Sequence, residues 1–242
     1  MTNISILTCV LGEPSNLHQT ANSIGPWLSE NLEWVIKFSD KTGEKFIENF
    51  NGPHIRHIKE SDTSLYDAIN QGLMGLNGDY YFVLGAGDKL IGDGMSALTE
   101  MLKLGNLDKC SYHAPIFMEA SKATWTPEVT QITHGMSCPH PTSLLSVKKS
   151  LAIGGYDTTY KIAADYDHLS RYATEFGFGC ALEIPPPVSF VGGGMSDVRG
   201  LESYLEVMLI RQRIWKAPDI RIYGDLLKGS ANIIAQIIVD TA

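Results

Sequence analysis

The sequence predicts an α/β fold in which a mostly parallel sheet is flanked by helices. Ile4–Val10 and Leu32–Phe38 are near-continuous apolar runs of strand length, typical of parallel strands that are buried on both faces. Segments with helical periodicity separate these runs from later ones. Polar loops follow the predicted strands at their carboxyl ends, and open α/β sheets bind their ligands at that edge.

Strands and helices alternate through the first part of the chain. In order, the predicted elements are strand Ile4–Val10, helix Leu17–Trp27, strand Leu32–Phe38, helix Glu44–Phe50, strand Ile55–Ile58, helix Tyr66–Leu76, strand Asp79–Leu84 and helix Asp93–Leu104. Ser15 or Asn16 can cap the first helix. Helical connections between parallel strands predict right-handed crossovers, so the loops that follow the strands should gather on one edge.

The pattern changes after residue 105. The predicted elements are strand Cys110–Met118, a polar and irregular segment Trp125–Gly135, strand Leu144–Val147, helix Asp165–Phe176, strand Ala181–Ile184, strand Val188–Val191, and helices Leu201–Trp215 and Gly224–Val239. The last two helices are predicted to form a C-terminal helical tail over residues 199–242.

Composition and charge exclude several classes of protein. The 242 residues suffice for one large α/β domain, and 44% apolar with 19% charged residues is typical of a globular protein. A formal net charge of −8 disfavours nucleic acid as a partner. The cysteines lack metal-ligand spacing, which argues against a zinc site or disulfide framework and fits a reducing cytosol; they are Cys9, Cys110, Cys138 and Cys180. We expect neither a signal peptide nor a membrane-spanning helix.

The segment Lys59–Leu90 has the clearest pattern in the chain. An amphipathic helix over Tyr66–Leu76 is followed by a helix-ending glycine and the buried strand Asp79–Leu84. A turn of small residues then presents Asp88 at the carboxyl end of that strand. Taken alone, Asp88 is as well explained by a local turn, since aspartate often bonds its own backbone there.

A set of residues at fixed spacing extends this pattern: Glu60, Asp62, Tyr66, Asp67, Ala68, Asn70, Gly72, Gly78, Asp79, Leu84 and Asp88. In register, these resemble glycosyltransferase family 2, inverting sugar transferases with a GT-A fold, and within it a bacterial surface-polysaccharide subgroup. Two positions depart from the family pattern. Gln71 stands where the family has lysine, and Gly87 stands where it has the first carboxylate of an Asp-Asp pair.

The resemblance continues to about residue 200. The matching blocks are His140, Gly155-Tyr156-Asp157, Ala164-Asp165-Tyr166-Asp167-His168-Leu169 and Gly193-Gly194-Met195-Ser196. The resemblance implies a single GT-A domain over residues 1–198, with a nucleotide-sugar-binding half at 1–105 and an acceptor half at 106–198. Residues 199–242, the helical tail, have no counterpart in the family pattern.

Two aspartates are implied to carry the chemistry. Asp165 falls where the family has its catalytic base, at the start of a helix, and Asp167 is the alternative base. Asp88 is implied to ligate a divalent cation, Mn²⁺ or Mg²⁺, since one carboxylate with phosphate and water can hold such an ion. Each aspartate also has a structural interpretation, because carboxylates are favoured at helix starts and in tight turns.

Substrate contacts are implied for a further group of residues. In the family, the loop after the first strand and an aspartate after the second hold the nucleoside; here these are Thr8 to Glu13 and Asp40, within a loop that departs from the family sequence. Asp62, Tyr66, Asp67 and Asn70 form a cluster that can contact base, ribose or sugar, or can simply be a solvated helix face. His140 is expected either to contact the acceptor or a phosphate, or to be a structural histidine.

The expected function is therefore an inverting glycosyltransferase that uses a nucleotide-sugar, most simply a UDP-sugar, to glycosylate a hydroxyl of a glycan or lipid-linked acceptor in surface polysaccharide synthesis. The alternative is a catalytically inactive GT-A domain that binds nucleotide-sugars or acts as a scaffold. We expect a cytoplasmic protein, at the inner face of the membrane if its tail binds lipid. The same C-terminal helices can instead pack on the domain or form a homodimer.

Overall fold

Strands and helices alternate in the computed structural model, which describes residues 2–10, 16–39, 49–103, 111–192 and 199–216. The strands are β1 (Ile4–Val10), β2 (Leu32–Phe38), β3 (Ile55–Lys59), β4 (Tyr80–Val83), β5 (Lys89–Leu90), β6 (Ser111–His113), β7 (Ile116–Met118), β8 (Ala123–Trp125), β9 (Ser143–Ser146), β10 (Cys180–Ala181) and β11 (Val188–Phe190). The α-helices are α1 (Leu17–Ile24), α2 (Leu65–Met74), α3 (Gly92–Lys103), α4 (Val147–Ala152), α5 (Ala164–Phe176) and α6 (Gly200–Trp215).

The main sheet has seven strands in the order β10-β6-β9-β4-β1-β2-β3 and is mostly parallel, as predicted. β1 pairs in parallel with both β2 and β4. β9 is antiparallel to both of its neighbours, β4 and β6. The start of β9 therefore lies at the same edge as the carboxyl ends of the parallel strands, and the turn that precedes it joins the loops of that edge.

Both faces of the sheet are buried, which explains the unbroken apolar runs of the central strands. Ile6 and Leu7 are fully buried but belong to different cores, because successive side chains of a strand point to opposite faces. One core includes the buried side chains of α1 and α3. The other includes those of α2 and α5.

A second sheet of four strands, in the order β5-β11-β7-β8, lies beside the main one. The single strand predicted over Cys110–Met118 is wrong: the chain leaves the main sheet after His113 and enters the second sheet at Ile116. Pro115 lies at the break, where a residue without an N–H cannot continue the strand ladder.

Other boundaries in the second half also differ. β9 ends at Ser146, and Val147 instead begins α4, because the Ser146 hydroxyl accepts a hydrogen bond from the Lys149 N–H and caps the helix. The irregular segment contains a 3₁₀ helix over Val129–His134. The strand predicted over Ala181–Ile184 is reduced to β10.

The C-terminal helix predicted over Leu201–Trp215 is confirmed as α6. Gly224–Val239 and most of Glu44–Phe50 lie outside the described residues. Within the described part of the chain, no helix combines the length and the apolar character needed to cross a bilayer.

Candidate active site

Asp88 lies in the turn between β4 and β5, at the carboxyl edge of the main sheet. Its carboxylate is 6% exposed and accepts a hydrogen bond of 2.9 Å from the Val191 N–H at the end of β11. Thr20 of α1 fixes the turn from the other side, since its hydroxyl donates to the Asp88 carbonyl at 2.8 Å and accepts from the Gly87 N–H at 2.8 Å. The carboxylate therefore occupies a defined position.

Burial raises the pKa of Asp88 to about 6. Hydrogen bonds from the backbone of Val191 and Gly85 offset part of that effect, because they favour the ionised form. Among the described residues, no lysine or arginine forms an ion pair with this carboxylate. A bound cation would supply the compensating charge that the surroundings of Asp88 lack.

Gly87, the residue before Asp88, adopts a backbone conformation that favours glycine. Its φ angle is +110°, which residues with a side chain rarely adopt. A Cβ atom at this position would be in ordinary van der Waals contact with Asn16, 3.4 Å from its Cβ, so backbone conformation and not lack of space disfavours a side chain here. The departure from the family's acidic pair is thus built into the backbone of the turn as well as the sequence.

Asp165 lies in the first turn of α5 and is partly buried. Its Oδ1 accepts a hydrogen bond of 2.8 Å from the Tyr166 N–H. Burial raises its pKa to about 6, while hydrogen bonds from the backbone and from Tyr66 act in the opposite direction. A carboxylate with this pKa is mostly ionised at neutral pH and still basic enough to accept a proton from a hydroxyl during reaction.

Tyr66 connects the start of α2 to the segment that leads into α5. Its hydroxyl donates its one proton to the Ile162 carbonyl in a short hydrogen bond, and the same hydroxyl is close enough to Asp165 to lower the pKa of that carboxyl. Because α2 follows β3 at the carboxyl edge of the sheet, this contact brings Asp165 to the same edge as Asp88.

Glu206 of α6 is a residue that the sequence analysis did not single out. Its carboxylate accepts hydrogen bonds from three consecutive backbone N–H groups just before α5, those of Lys161 at 2.9 Å, Ile162 at 2.9 Å and Ala163 at 2.8 Å. Its negative charge also raises the pKa of Asp165. No local motif marks Glu206, since its partners lie more than forty residues earlier in the chain.

Asp167, the alternative base, is completely buried and engaged in ion pairs. Its Oδ2 accepts from Arg171 Nε at 2.7 Å, and its Oδ1 pairs with Arg213 of α6. Arg213 also contacts Asp157 at 3.2 Å. Both oxygens of Asp167 are therefore occupied by guanidinium groups, which favours a structural role over the transfer of a proton.

Asn70 holds the turn that contains Tyr156. Its amide group donates to the Tyr156 carbonyl and accepts from the Tyr156 N–H, both at 2.8 Å. Gly155 permits this clamp, because its φ is +67° and a Cβ atom there would lie 2.4 Å from Asn70 Oδ1. The side chain of Asn70 is thus engaged with the protein itself, and its contact with a substrate stays a prediction.

His140 lies in the turn before β9, and its Nε2 is 2.8 Å from the Tyr156 hydroxyl. Tyr156 stacks on His168 with ring centroids 4.2 Å apart and on Tyr66 at 6.1 Å. Burial lowers the pKa of His140 to about 4. The imidazole is therefore neutral at physiological pH.

The other predicted substrate residues make bonds within the protein. Asp62 pairs at 2.7 Å with Lys37, which is completely buried in β2. Asp67 accepts from the Thr63 N–H at 2.8 Å and the Thr63 hydroxyl at 3.0 Å at the start of α2. Thr8 is buried in β1 and accepts from the Trp34 indole at 3.0 Å. Their binding of substrate stays a prediction, and Glu13 and Asp40 lie outside the described residues.

An open pocket of about 610 Å³ lies beside the Asn70 clamp. Its lining includes Tyr156, Asp157, Arg171 and Arg213, but neither Asp88 nor Asp165. The two arginines are already paired with Asp157 and Asp167, so this pocket offers no free positive charge for a phosphate. We therefore place the candidate chemistry at the sheet edge and not in this pocket.

A divalent cation is compatible with the residues around Asp88. Within the described ranges, no group of three histidine, cysteine or acidic side chains is close enough to form a complete metal site. A single buried carboxylate without a cationic partner still suits Mg²⁺ or Mn²⁺, which commonly take one or two protein carboxylates with phosphate and water. Asp88 is the described residue that would hold such an ion.

Solved structures share this fold. Residues 1–349 of TarS from S. aureus, in complex with UDP, match with a TM-score of 0.66 and 11% identity, over 94% of this chain and 70% of that one. The mannosyltransferase PcManGT from Pyrobaculum calidifontis, in complex with GDP-Man and Mn²⁺, matches with a TM-score of 0.66 and 12% identity, over 98% and 75%. These matches confirm the predicted fold class. No protein-family model and no curated protein sequence matches the chain.

Proposed function

We propose that the protein is a glycosyltransferase that moves a sugar from a nucleotide-sugar to a hydroxyl group, with inversion at the sugar carbon. The observation that carries the proposal is a pair of carboxylates at one edge of the sheet, Asp88 and Asp165, each with a pKa raised by burial to about 6. The fold that positions them is shared with structures that contain UDP or GDP-Man. Perturbed carboxylates near one ligand-binding edge are candidates for a functional site.

Asp165 would act as the general base. As the acceptor oxygen forms its bond to the sugar carbon, the hydroxyl proton passes to Asp165, and the bond from that carbon to the diphosphate oxygen breaks. A single displacement of this kind inverts the sugar carbon. The hydrogen bonds that Tyr66 and Glu206 make to the segment before α5 would hold Asp165 in position during the transfer.

Asp88 would hold a divalent cation beside the donor diphosphate. The ion would neutralise the charge that develops on the leaving group. Contacts with the nucleoside are proposed for Thr8, Glu13 and Asp40, with UDP as the first nucleotide to test. Contacts with the base, ribose or sugar are proposed for Asp62, Asp67 and Asn70. A glycan or lipid-linked acceptor in surface polysaccharide synthesis is proposed from the family resemblance, which also suggests a site of action at the cytoplasmic face of a membrane.

A thermal-shift screen tests this proposal directly. The ligands are UDP, GDP, UDP-GlcNAc and GDP-mannose, each with and without Mn²⁺, and the best donor is then assayed for release of nucleoside diphosphate. Binding to the native state at 100 times Kd should stabilise it by about 2.7 kcal/mol. If no nucleotide or nucleotide-sugar raises the melting temperature, the proposal is wrong.

The second candidate is a catalytically inactive domain that binds nucleotide-sugars. Gly87 favours it, because the turn carries one carboxylate where the family has two. The same screen separates the candidates. An inactive domain would bind a nucleotide-sugar and release no diphosphate at any metal concentration, with every acceptor tried.

A further inference from the structure

A chain of hydrogen bonds joins two histidines through the interior of the domain. His140 Nε2 is 2.8 Å from the Tyr156 hydroxyl, which is 3.1 Å from the Tyr81 hydroxyl. The Tyr81 hydroxyl is 3.1 Å from Ser150 Oγ, which is 3.1 Å from His168 Nε2. All members except His140 are buried, with at most 2% exposure. Each polar atom in the interior therefore depends on its neighbour in this chain.

The tautomer of His168 determines the direction in which the hydrogen bonds run. His168 Nδ1 lies 2.9 Å from the Gly155 carbonyl oxygen, which can only accept, so the proton of His168 is on Nδ1. Burial lowers the pKa of His168 to about 3, so its other nitrogen, Nε2, has no proton and accepts a hydrogen bond.

Counting the available protons then determines which ring nitrogen of His140 is protonated. Four contacts of 2.8–3.1 Å lie between His140 and His168, and a longer contact of 3.4 Å joins the Tyr81 hydroxyl directly to His168 Nε2. The three hydroxyl groups, on Tyr156, Tyr81 and Ser150, supply one proton each to the four shorter contacts. His168 Nε2 supplies none. All four contacts are satisfied only if His140 Nε2 donates the fourth proton to Tyr156. A hydroxyl that pointed the other way would leave two buried oxygen atoms in contact without a proton between them.

We infer that His140 binds a hydroxyl group of the sugar substrate through the unprotonated Nδ1 of its ring. This rests on the proposed function and specifies one contact of its site. Among the described residues, the only hydrogen-bond partner of His140 is Tyr156. The His140 side chain is partly exposed, unlike the other members of this hydrogen-bond network. The turn that carries it contacts β4 at the carboxyl edge.

The same tautomer discriminates between substrate groups. A phosphate oxygen has no proton to give, so it needs a donor, whereas a hydroxyl can donate to the lone pair of Nδ1. Burial lowers the pKa of His140 to about 4, which keeps Nδ1 unprotonated at neutral pH. The His140 ring also makes an edge-on contact with the Tyr156 ring, with centroids 5.6 Å apart and ring planes at 82°.

Long-range ¹H–¹⁵N NMR of the histidine rings in the full-length protein tests the assignment, because it distinguishes the two neutral tautomers and the imidazolium. At pH 7 we expect His140 protonated on Nε2 and His168 protonated on Nδ1, with signals assigned by His140→Gln and His168→Gln. Tyr156→Phe removes the acceptor of the His140 proton, so His140 should change to a mixture of tautomers while His168 keeps its own. Tyr160→Phe is the matched control, because Tyr160 does not belong to this set of hydrogen bonds; it should change the tautomer of neither histidine.

A His140 ring protonated on Nδ1 in the unmodified protein would overturn the inference, whether or not any sugar is transferred. Ligand addition supplies the second criterion. Inorganic diphosphate alone should leave His140 neutral, and its conversion to an imidazolium would show that the residue binds phosphate instead. With an active donor, Tyr156→Phe should lower kcat/KM about tenfold, mainly through KM, which corresponds to one hydrogen bond. An unchanged KM would contradict the proposed contact.

Discussion

Asp88 and Asp165 have the same raised pKa, but the protein holds them in different ways. Asp88 is fixed by its own short turn, by a hydroxyl of α1 and by one N–H at the end of β11. Asp165 depends on side chains from elements distant in sequence, Tyr66 of α2 and Glu206 of α6, which hold the segment before its helix. The position of Asp88 is therefore set by its own turn and its immediate neighbours, while the position of Asp165 depends on the tertiary packing of several helices.

The largest effect is expected at Asp165. Asp165→Asn keeps the shape of the side chain but removes the proton acceptor, so we expect transfer to fall by about 10²–10⁴-fold. Donor binding should remain within about threefold of the unmodified protein in the thermal-shift titration, since the nucleotide is assigned to other residues. Asp167→Asn offers a contrast. It should lower stability through the loss of its arginine pairs, and a complete loss of transfer in a folded Asp167→Asn protein would reverse the assignment of the two carboxylates.

Asp88→Asn should have the next largest effect on transfer. It distinguishes the role proposed for Asp88 in cation binding from the role proposed for Asp165 in proton transfer. We expect it to abolish the increase in melting temperature caused by Mn²⁺ with nucleotide and to lower transfer substantially. In the absence of ligand, the raised pKa of Asp88 predicts that this carboxyl group makes the folded protein less stable as the pH rises. The folded state binds this proton more tightly than the unfolded state, so its contribution to stability is present below about pH 4 and is lost as the pH rises through about 6.

Asp88→Asn should therefore reduce the loss of stability between pH 4 and pH 6 in metal-free protein, which urea denaturation at several pH values measures. Asp93→Asn, at the start of α3, is a suitable control because it changes one carboxylate of the same region outside the turn. An unchanged pH dependence in Asp88→Asn would show that this carboxylate is not protonated preferentially in the fold.

Glu206→Gln should have the smallest effect on the rate of transfer. Its specific effect should be on the pH dependence of that rate. Removing its charge removes a cause of the raised pKa of Asp165, so the acid limb of the kcat/KM profile should move to lower pH by a fraction of a unit. Its hydrogen bonds to three backbone N–H groups become weaker, which should lower stability by about 1–3 kcal/mol.

Glu202→Gln on the same helix is the matched control. Among the described residues, the exposed Glu202 forms an ion pair with the nearby Arg199, and such surface pairs contribute about 0–1 kcal/mol. A pH profile that does not move in Glu206→Gln, or that moves equally in both variants, would show that Glu206 acts only on folding.

The sequence predicts best those features that depend on local patterns. The apolar runs give the bounds of β1 and β2 correctly, because both strands lie in the centre of the sheet and are buried on both faces. The apolar pattern predicts one strand over Cys110–Met118, but Pro115 divides this segment between two sheets. Boundaries thus follow backbone chemistry that a hydrophobic pattern does not contain.

In the candidate site, too, local sequence patterns predict some features and not others. Asp88 and Asp165 are located by motifs, since each lies at the end of a predictable element. Their environments are not predictable in this way, because Glu206 and the bonds of Asn70 to Tyr156 join residues separated by tens of positions. Nor does the sequence show that both oxygens of Asp167 are occupied by arginines.

The backbone at Gly87 has a consequence for protein engineering. Anyone who wished to rebuild the family's acidic pair by the single exchange Gly87→Asp would place a side chain on a backbone with φ of +110° and against Asn16. The backbone of the turn would have to change before a second carboxylate could be placed there without strain. If Asp88 binds a cation as proposed, the path of the main chain would limit how many carboxylates this turn can offer it, and tighter binding would call for a different loop and not a single substitution.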